Sequence, residues 1–239
     1  MDQTGFRDIL RKGLPYWDCL SAQDQNKAVS SAKLNIYKPK TIIPSGTDDL
    51  SPGIQVLRQG MARVFISSPD GKQLTLKRIL PGDVYTFGIS GLLDPPGPLS
   101  IETESACEFL VIPRSVCREL CGSPAVKDVL IREMQHRFSQ VLRIMESVAF
   151  SGMGARLANE LIEQSHFASS SMFAITHERI AADLGTAREV VTRLLNQFQQ
   201  DGVVALLRGR IEILKMKELI QIRGEYLGEV SRTIYPDLY

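Results

Sequence analysis

Four side chains within one short stretch, Arg188, Glu189, Thr192 and Arg193, have the types and the spacing to read base-pair edges. On a helix, residues at i, i+1, i+4 and i+5 share one face. Arginine can bond bidentately to guanine O6 and N7, and glutamate can accept from the cytosine amino group. Thr186, just ahead of them, is placed to touch a phosphate, where the N–H groups of a helix start also point. A plainer account makes Glu189 and Arg193 a surface ion pair at i, i+4, worth about 0.3 kcal/mol. Competing chemistry is thin. The chain has no His-Glu-x-x-His spacing, no glycine-rich phosphate loop and no Gly-x-Ser-x-Gly elbow, so an enzyme is not expected.

The flanking residues predict the elements that would position this set. Thr176 can cap a short helix and Gly185 can end it in the left-handed conformation that other residues resist. Thr186 then caps a second helix, with Glu189 three residues on to complete a capping box. Ile180, Ala181 and Leu184 face inward from the first helix, and Val191, Leu194, Leu195 and Phe198 from the second. Two capped helices joined through one glycine form a bihelical unit. Behind it, Val203–Leu207 and Ile211–Leu214 read as short strands around Arg208-Gly209-Arg210. They form a β-wing whose arginines, Arg208 and Arg210, either reach backbone phosphate or simply solvate a hairpin tip.

The preceding half has a different texture. From about Lys40 to Pro113, short apolar runs alternate with turn chemistry such as Pro69-Asp70-Gly71-Lys72 and Pro81-Gly82-Asp83. Asp-Gly between two apolar runs is a hairpin signal, and close, even spacing of strands suggests a sandwich or jelly roll. After Pro113 the period changes. Arg114–Cys121 reads as a short helix, and Pro124 opens a long one in which Leu130, Met134, Phe138, Val141, Met145 and Val148 recur near heptad spacing. That seam either joins two copies of the chain or packs on the chain's own sheet. Ser151-Gly152-Met153-Gly154 interrupts the helix, and His166–Ser171 reads as a polar loop. The expected division is a sensor domain over 1–123, a dimerisation helix over 124–151, and a DNA-binding domain with a tail over 152–239.

Composition bounds the setting. The 239 residues are 44% hydrophobic, enough to bury a substantial core, and the net charge of +1 argues against nonspecific coating of DNA. Met1–Leu14 lacks the apolar run of a signal peptide, and no stretch approaches the roughly 18 apolar residues of a membrane span. The four cysteines are too scattered for a disulfide scaffold. A reducing cytoplasm, with no membrane partner, is the expectation.

These motifs together resemble the CRP/FNR superfamily of bacterial regulators, over nearly the whole chain. The N-terminal half is similar in its glycine punctuation: Ile43-Pro44-Ser45-Gly46, Gly60, Asp70-Gly71, Pro81-Gly82-Asp83 and Phe87-Gly88. Ala149-Phe150 and Arg156 follow the long helix, and Gly185-Thr-Ala-Arg-Glu-Val-Val-Thr-Arg resembles the family's recognition segment. The resemblance implies an α+β fold: an N-terminal cyclic-nucleotide-binding-like β jelly roll, a long dimerisation helix and a C-terminal winged helix-turn-helix. It implies a homodimer on a palindromic promoter site, with RNA polymerase as a partner and half-sites about one helical turn apart. Arg188, Glu189 and Arg193 fall at its base-contacting positions, which predicts half-sites like TGTGA.

The sensor half departs from the cyclic AMP pattern. Ile89 stands where a glutamate would hold the ribose hydroxyl, and no Lys or Arg occurs between Arg78 and Arg114 to meet the cyclic phosphate. Val141 and Leu142 stand about where polar nucleotide contacts are expected. A buried unpaired phosphate is costly, so cyclic AMP bound in the usual way is not expected. An iron–sulfur cluster would need four thiolates, yet only Cys19 lies in the N-terminal segment. Cys117 and Cys121 could share a helical face as a thiol or metal pair, or be core residues. Haem would need a ligand other than a sensor-domain histidine, since the three histidines are His136, His166 and His177. Both cofactors remain alternatives to the favoured reading, a small organic effector. Its pocket would be lined by Tyr85, Thr86, Phe87, Ile89, Ser90, Leu99 and Ser100, with Arg137 or Gln140 from the helix. Side chains filling the barrel are the competing account.

Overall fold

A computed structural model of the chain describes residues 3–43, 53–86 and 99–234. It divides into two compact units, one of residues 1–67 and 77–137 and the other of 68–76 and 138–239. The division falls inside the long helix, between Arg137 and Phe138.

The first unit is built on two four-stranded sheets, as a jelly roll requires. One has the order β1 (Lys33–Tyr37), β8 (Cys107–Ile112), β3 (Ile54–Gln59), β6 (Val84–Thr86). The other runs β2 (Ile42–Ile43), β7 (Leu99–Thr103), β4 (Ala62–Ser67), β5 (Gln73–Ile79). Period-two alternation explains the layering. Along β8, Cys107, Phe109 and Val111 join Leu57, Val64, Ile79 and Ile101 in a core between the sheets. Leu110 and Ile112 point the other way, with Ile54 and Val56, into a second core under helices.

Those helices are α1 (Gln3–Gly13), α2 (Ala22–Ser31), α3 (Arg114–Leu120) and the first turns of α4 (Pro124–Phe150). Leu10, Leu14, Trp17, Val29, Leu120 and Val126 come from them and from the turn between α1 and α2. Ser21 caps α2 by accepting from the Asp24 N–H at 3.1 Å. The sequence reading began its strands near Lys40 and assigned no helix before them. β1, α1 and α2 therefore add to it.

At 27 residues, α4 is about 40 Å long. Met134, Phe138, Val141, Met145 and Val148 of the expected seam are all exposed, Phe138 by 64% and Met145 by 61%. Leu130 differs: it packs partly against the helix-covered core of the first unit.

The second unit has a main core. It gathers Leu157, Leu161 and Ile162 of α5 (Met153–Ala168) with Ile180, Leu184, Val191, Leu195 and Phe198 of α6 (His177–Leu184) and α7 (Arg188–Gln200). β9 (Met172–Phe173), β10 (Val204–Leu207) and β11 (Arg210–Ile213) form a three-stranded sheet, order β10-β11-β9. The expected loop at His166–Ser171 is shorter than read. α5 continues to Ala168, and Ser169 ends it at φ 48°, with the Ser170 N–H reaching back to Ser165 O. The tail is α8 (Met216–Ile234), bent at Gly224 and laid along α5. There Ser231 Oγ lies 2.7 Å from Glu163 Oε1, and Val230 packs on Ile144 and Phe167.

Candidate nucleic-acid interface

The candidate reading stretch sits on α7, and α6 positions it. Thr176 Oγ1 accepts from the Arg179 N–H at 3.2 Å, which satisfies one orphan donor at the start of α6. Gly185 ends α6 in the left-handed region, φ 66° and ψ 36°. Its N–H and that of Thr186 both reach Ala181 O. The next helix corrects the sequence reading: α7 has Ala187 at its cap, one residue later than expected, and among the described residues the capping box of Thr186 with Glu189 does not form. Arg188 is consequently the first residue of α7.

α5 fixes α6 from below. Arg156 Nη2 donates to Leu184 O at 2.6 Å, placing a cation on the carbonyl end of α6, where the helix dipole favours it. Burial pulls its guanidinium down from the ordinary arginine value.

With Val191, Leu195 and Phe198 buried and Leu194 partly so, the opposite face of α7 is turned outward. Arg188, Glu189 and Arg193 are exposed and Thr192 is half-buried. The four share a shallow open surface with Asn196, Gln197 and Gln200. Those three polar residues were missed in the sequence reading, although they continue the same helical face at i+3, i+4 and i+7 from Arg193.

The ion pairing also differs from the plain account. Among the described residues neither Glu189 nor Arg193 makes an ion pair; Arg188 Nη1 instead meets Glu178 Oε1 of α6 at 2.9 Å. Both members are more than half exposed, so the pair contributes at most about 1 kcal/mol. Next to it, His177 Nδ1 lies 2.9 Å from Thr192 Oγ1. The wing forms as expected. Leu207 pairs with Arg210 across Gly209, which turns at φ 71°, and Arg208 and Arg210 are both exposed.

Of the expected effector residues, Phe87, Ile89 and Ser90 lie outside the described residues, and for Tyr85 and Thr86 only the backbone of β6 is described. Leu99 and Ser100 are half-buried on β7, and Leu99 packs on the inter-sheet core. Arg137 and Gln140 are half-buried on α4.

Cys117 and Cys121 are one turn apart and buried, whereas Cys19 is exposed. Burial pushes the Cys117 thiol up to about 12, and raises Cys121 as well. Thiols held neutral in this way lack the thiolate character of reactive cysteines. Among the described residues no group of three or more His, Cys, Asp or Glu is arranged to hold a metal.

Comparison with known proteins agrees with this arrangement. Residues 35–123 match the cyclic nucleotide-binding domain family, and residues 155–222 match the Crp-like helix-turn-helix domain family. A crystal structure from Eubacterium rectale, of a protein described as a transcriptional regulator of the crp/fnr family, superposes with a TM-score of 0.81 at 29% identity. The match covers 87% of this chain and 97% of that one. The chain belongs to the CRP/FNR family of transcriptional regulators.

As such it joins a cyclic-nucleotide-binding-type sensing domain to a helix-turn-helix that binds DNA. The cyclic AMP receptor protein of Thermus thermophilus is 27% identical over 88% of this chain and 97% of its own length. The anaerobic regulatory protein of Aggregatibacter actinomycetemcomitans is 26% identical over 88% of this chain and 84% of its own. No described helix is long and apolar enough to cross a membrane.

Proposed function

We propose that this regulator works as a cytoplasmic homodimer on a palindromic promoter site, reading each half-site in the major groove with Arg188, Glu189, Thr192 and Arg193. The observation that carries this reading is the exposure of Glu189 and Arg193, with no ion pair among the described residues, on a helix whose opposite face is core. Thr186 and the wing arginines, Arg208 and Arg210, would hold phosphates and fix register without reading sequence. Half-sites like TGTGA supply the guanine and cytosine edges that arginine and glutamate bond. RNA polymerase is the expected partner at such a site.

The exposed apolar face of α4 supports dimerisation through that helix, since a soluble chain gains by covering Phe138, Val141, Met145 and Val148. The signal is a small organic molecule with an apolar body, held in the jelly roll near Leu99 and Ser100. Cyclic AMP in the usual pose is disfavoured by the lack of any cation between Arg78 and Arg114. The high, buried Cys117 and Cys121 thiols count against a redox signal there.

Selection of binding sites from random DNA tests the reading. The enriched site should be a two-fold palindrome with a guanine whose preference disappears in Arg193→Ala. Enrichment of a site with no guanine dependence on Arg193 overturns it.

A further inference from the structure

The bond between α6 and α7 has a consequence for what Thr192 can read. A threonine on a helix divides between two χ1 rotamers, because its hydroxyl can also bond a backbone carbonyl of the preceding turn. A free threonine hydroxyl can in addition donate to or accept from a base edge, so by itself it discriminates poorly. Here the hydroxyl is engaged: Thr192 Oγ1 sits 2.9 Å from His177 Nδ1, in the first turn of α6. Either tautomer of the imidazole keeps that contact, as donor to the oxygen or as acceptor of its proton. His177 is itself half-buried, and Thr176 caps the turn that carries it, so the partner is held in place.

We infer that His177 is a specificity-determining positioning residue, which holds the Thr192 hydroxyl away from the groove and leaves the γ-methyl to meet a thymine methyl. The inference rests on the DNA-reading role proposed for α7. Thr192 adjoins Arg193 and lies one turn beyond Arg188, inside the reading face, so the base pair concerned belongs to the half-site. Apolar contact with the thymine 5-methyl group distinguishes that base from the other three.

The test uses the full-length protein and the duplex selected from random DNA, with deoxyuridine replacing thymidine one position at a time. Uracil keeps every hydrogen-bonding group of thymine and lacks only the methyl. The wild-type protein should show one position per half-site where this replacement weakens binding about fourfold, the worth of one buried methyl. His177→Ala should bring that ratio to near one and relax base preference at that position, while leaving the guanine dependence carried by Arg193 unchanged. Thr192→Ser should lose the ratio too.

Adding Thr192→Val to His177→Ala should restore it, since valine presents a methyl in either rotamer. That rescue also shows that His177→Ala folds. The inference fails if no thymine position is sensitive to the methyl, if His177→Ala keeps the full ratio, or if the double variant does not regain it. Loss of the Arg193 guanine dependence in the wild-type protein would instead sink the groove-reading assignment itself.

Discussion

Replacing Gly185 with alanine should destabilise the DNA-binding unit, whereas the same change at Gly154 should stabilise it. Gly185 holds φ 66°, a conformation that costs an L-residue about 1–2 kcal/mol. If the turn relaxes to escape that strain, the two N–H bonds onto Ala181 O are lost as well, at about 1 kcal/mol each. Gly154 lies in the first turn of α5 with right-handed backbone, and an added β-carbon there meets nothing within 4 Å. Alanine at such a site gains about 0.5–1 kcal/mol over glycine. In a unit of roughly 100 residues, each kcal/mol moves the midpoint by about 4–8 °C. Calorimetry on the full chain should therefore show Gly185→Ala lowering the transition of this unit by at least about 4 °C, and Gly154→Ala raising it. Gly185→Asn should recover part of the loss, because asparagine tolerates the left-handed region better than alanine does. A Gly185→Ala transition within a degree of the parent, or a matching fall for Gly154→Ala, would refute the argument from backbone conformation.

Four further outcomes follow from the same geometry. Alanine at Arg208 or Arg210 should weaken binding to all sequences about equally and flatten the salt dependence by about one unit per lost phosphate contact, as read by fluorescence anisotropy across salt. Glutamate at Phe138 or Met145 should give monomers in sedimentation, with thermal transitions that no longer rise with protein concentration, because both side chains are exposed within one chain and their cover comes from a second copy. Cys19 should react with an alkylating reagent in the native state while Cys117 and Cys121 react only on unfolding. Since the folded Cys117 thiol is raised to about 12, the stability tied to it is whole below the unfolded value near 8.5 and declines as pH climbs from there toward 12. Urea unfolding across that pH range measures the decline.

The helix-turn-helix was the most legible part of the chain because each of its local signals points the same way. Thr176, Gly185 and the apolar set from Ile180 to Phe198 specify caps, turn and burial without help from distant residues. The N-terminal helices were not legible for the opposite reason. α2 carries only Ala28 and Val29 as buried residues, and its stability comes from packing beside Leu120 and Val126, which are remote in sequence. β9 is two residues long and exists through its pairing with β11, so no period could announce it. α7 starts one residue later than Thr186 suggests: the cap position falls on Ala187, whose side chain carries no acceptor.

If the four side chains read bases as proposed, their contacts with α6 divide their work. Arg188, the first residue of α7, lies within reach of Glu178, and Thr192, one turn on, lies against His177. Glu189 and Arg193 lie on the same face with no ion pair among the described residues. Arg188 must give up its carboxylate before it can bond a base. Because both partners are more than half exposed, that exchange costs at most about 1 kcal/mol, against the 1–3 kcal/mol a good bidentate contact to guanine contributes. The pair therefore tempers Arg188 without silencing it, and it penalises sequences that offer Arg188 nothing in return. On that reading Arg193 meets no such cost. The helix that aims the reading face, α6, thus also weights the residues on it, through two side chains of its own first turn.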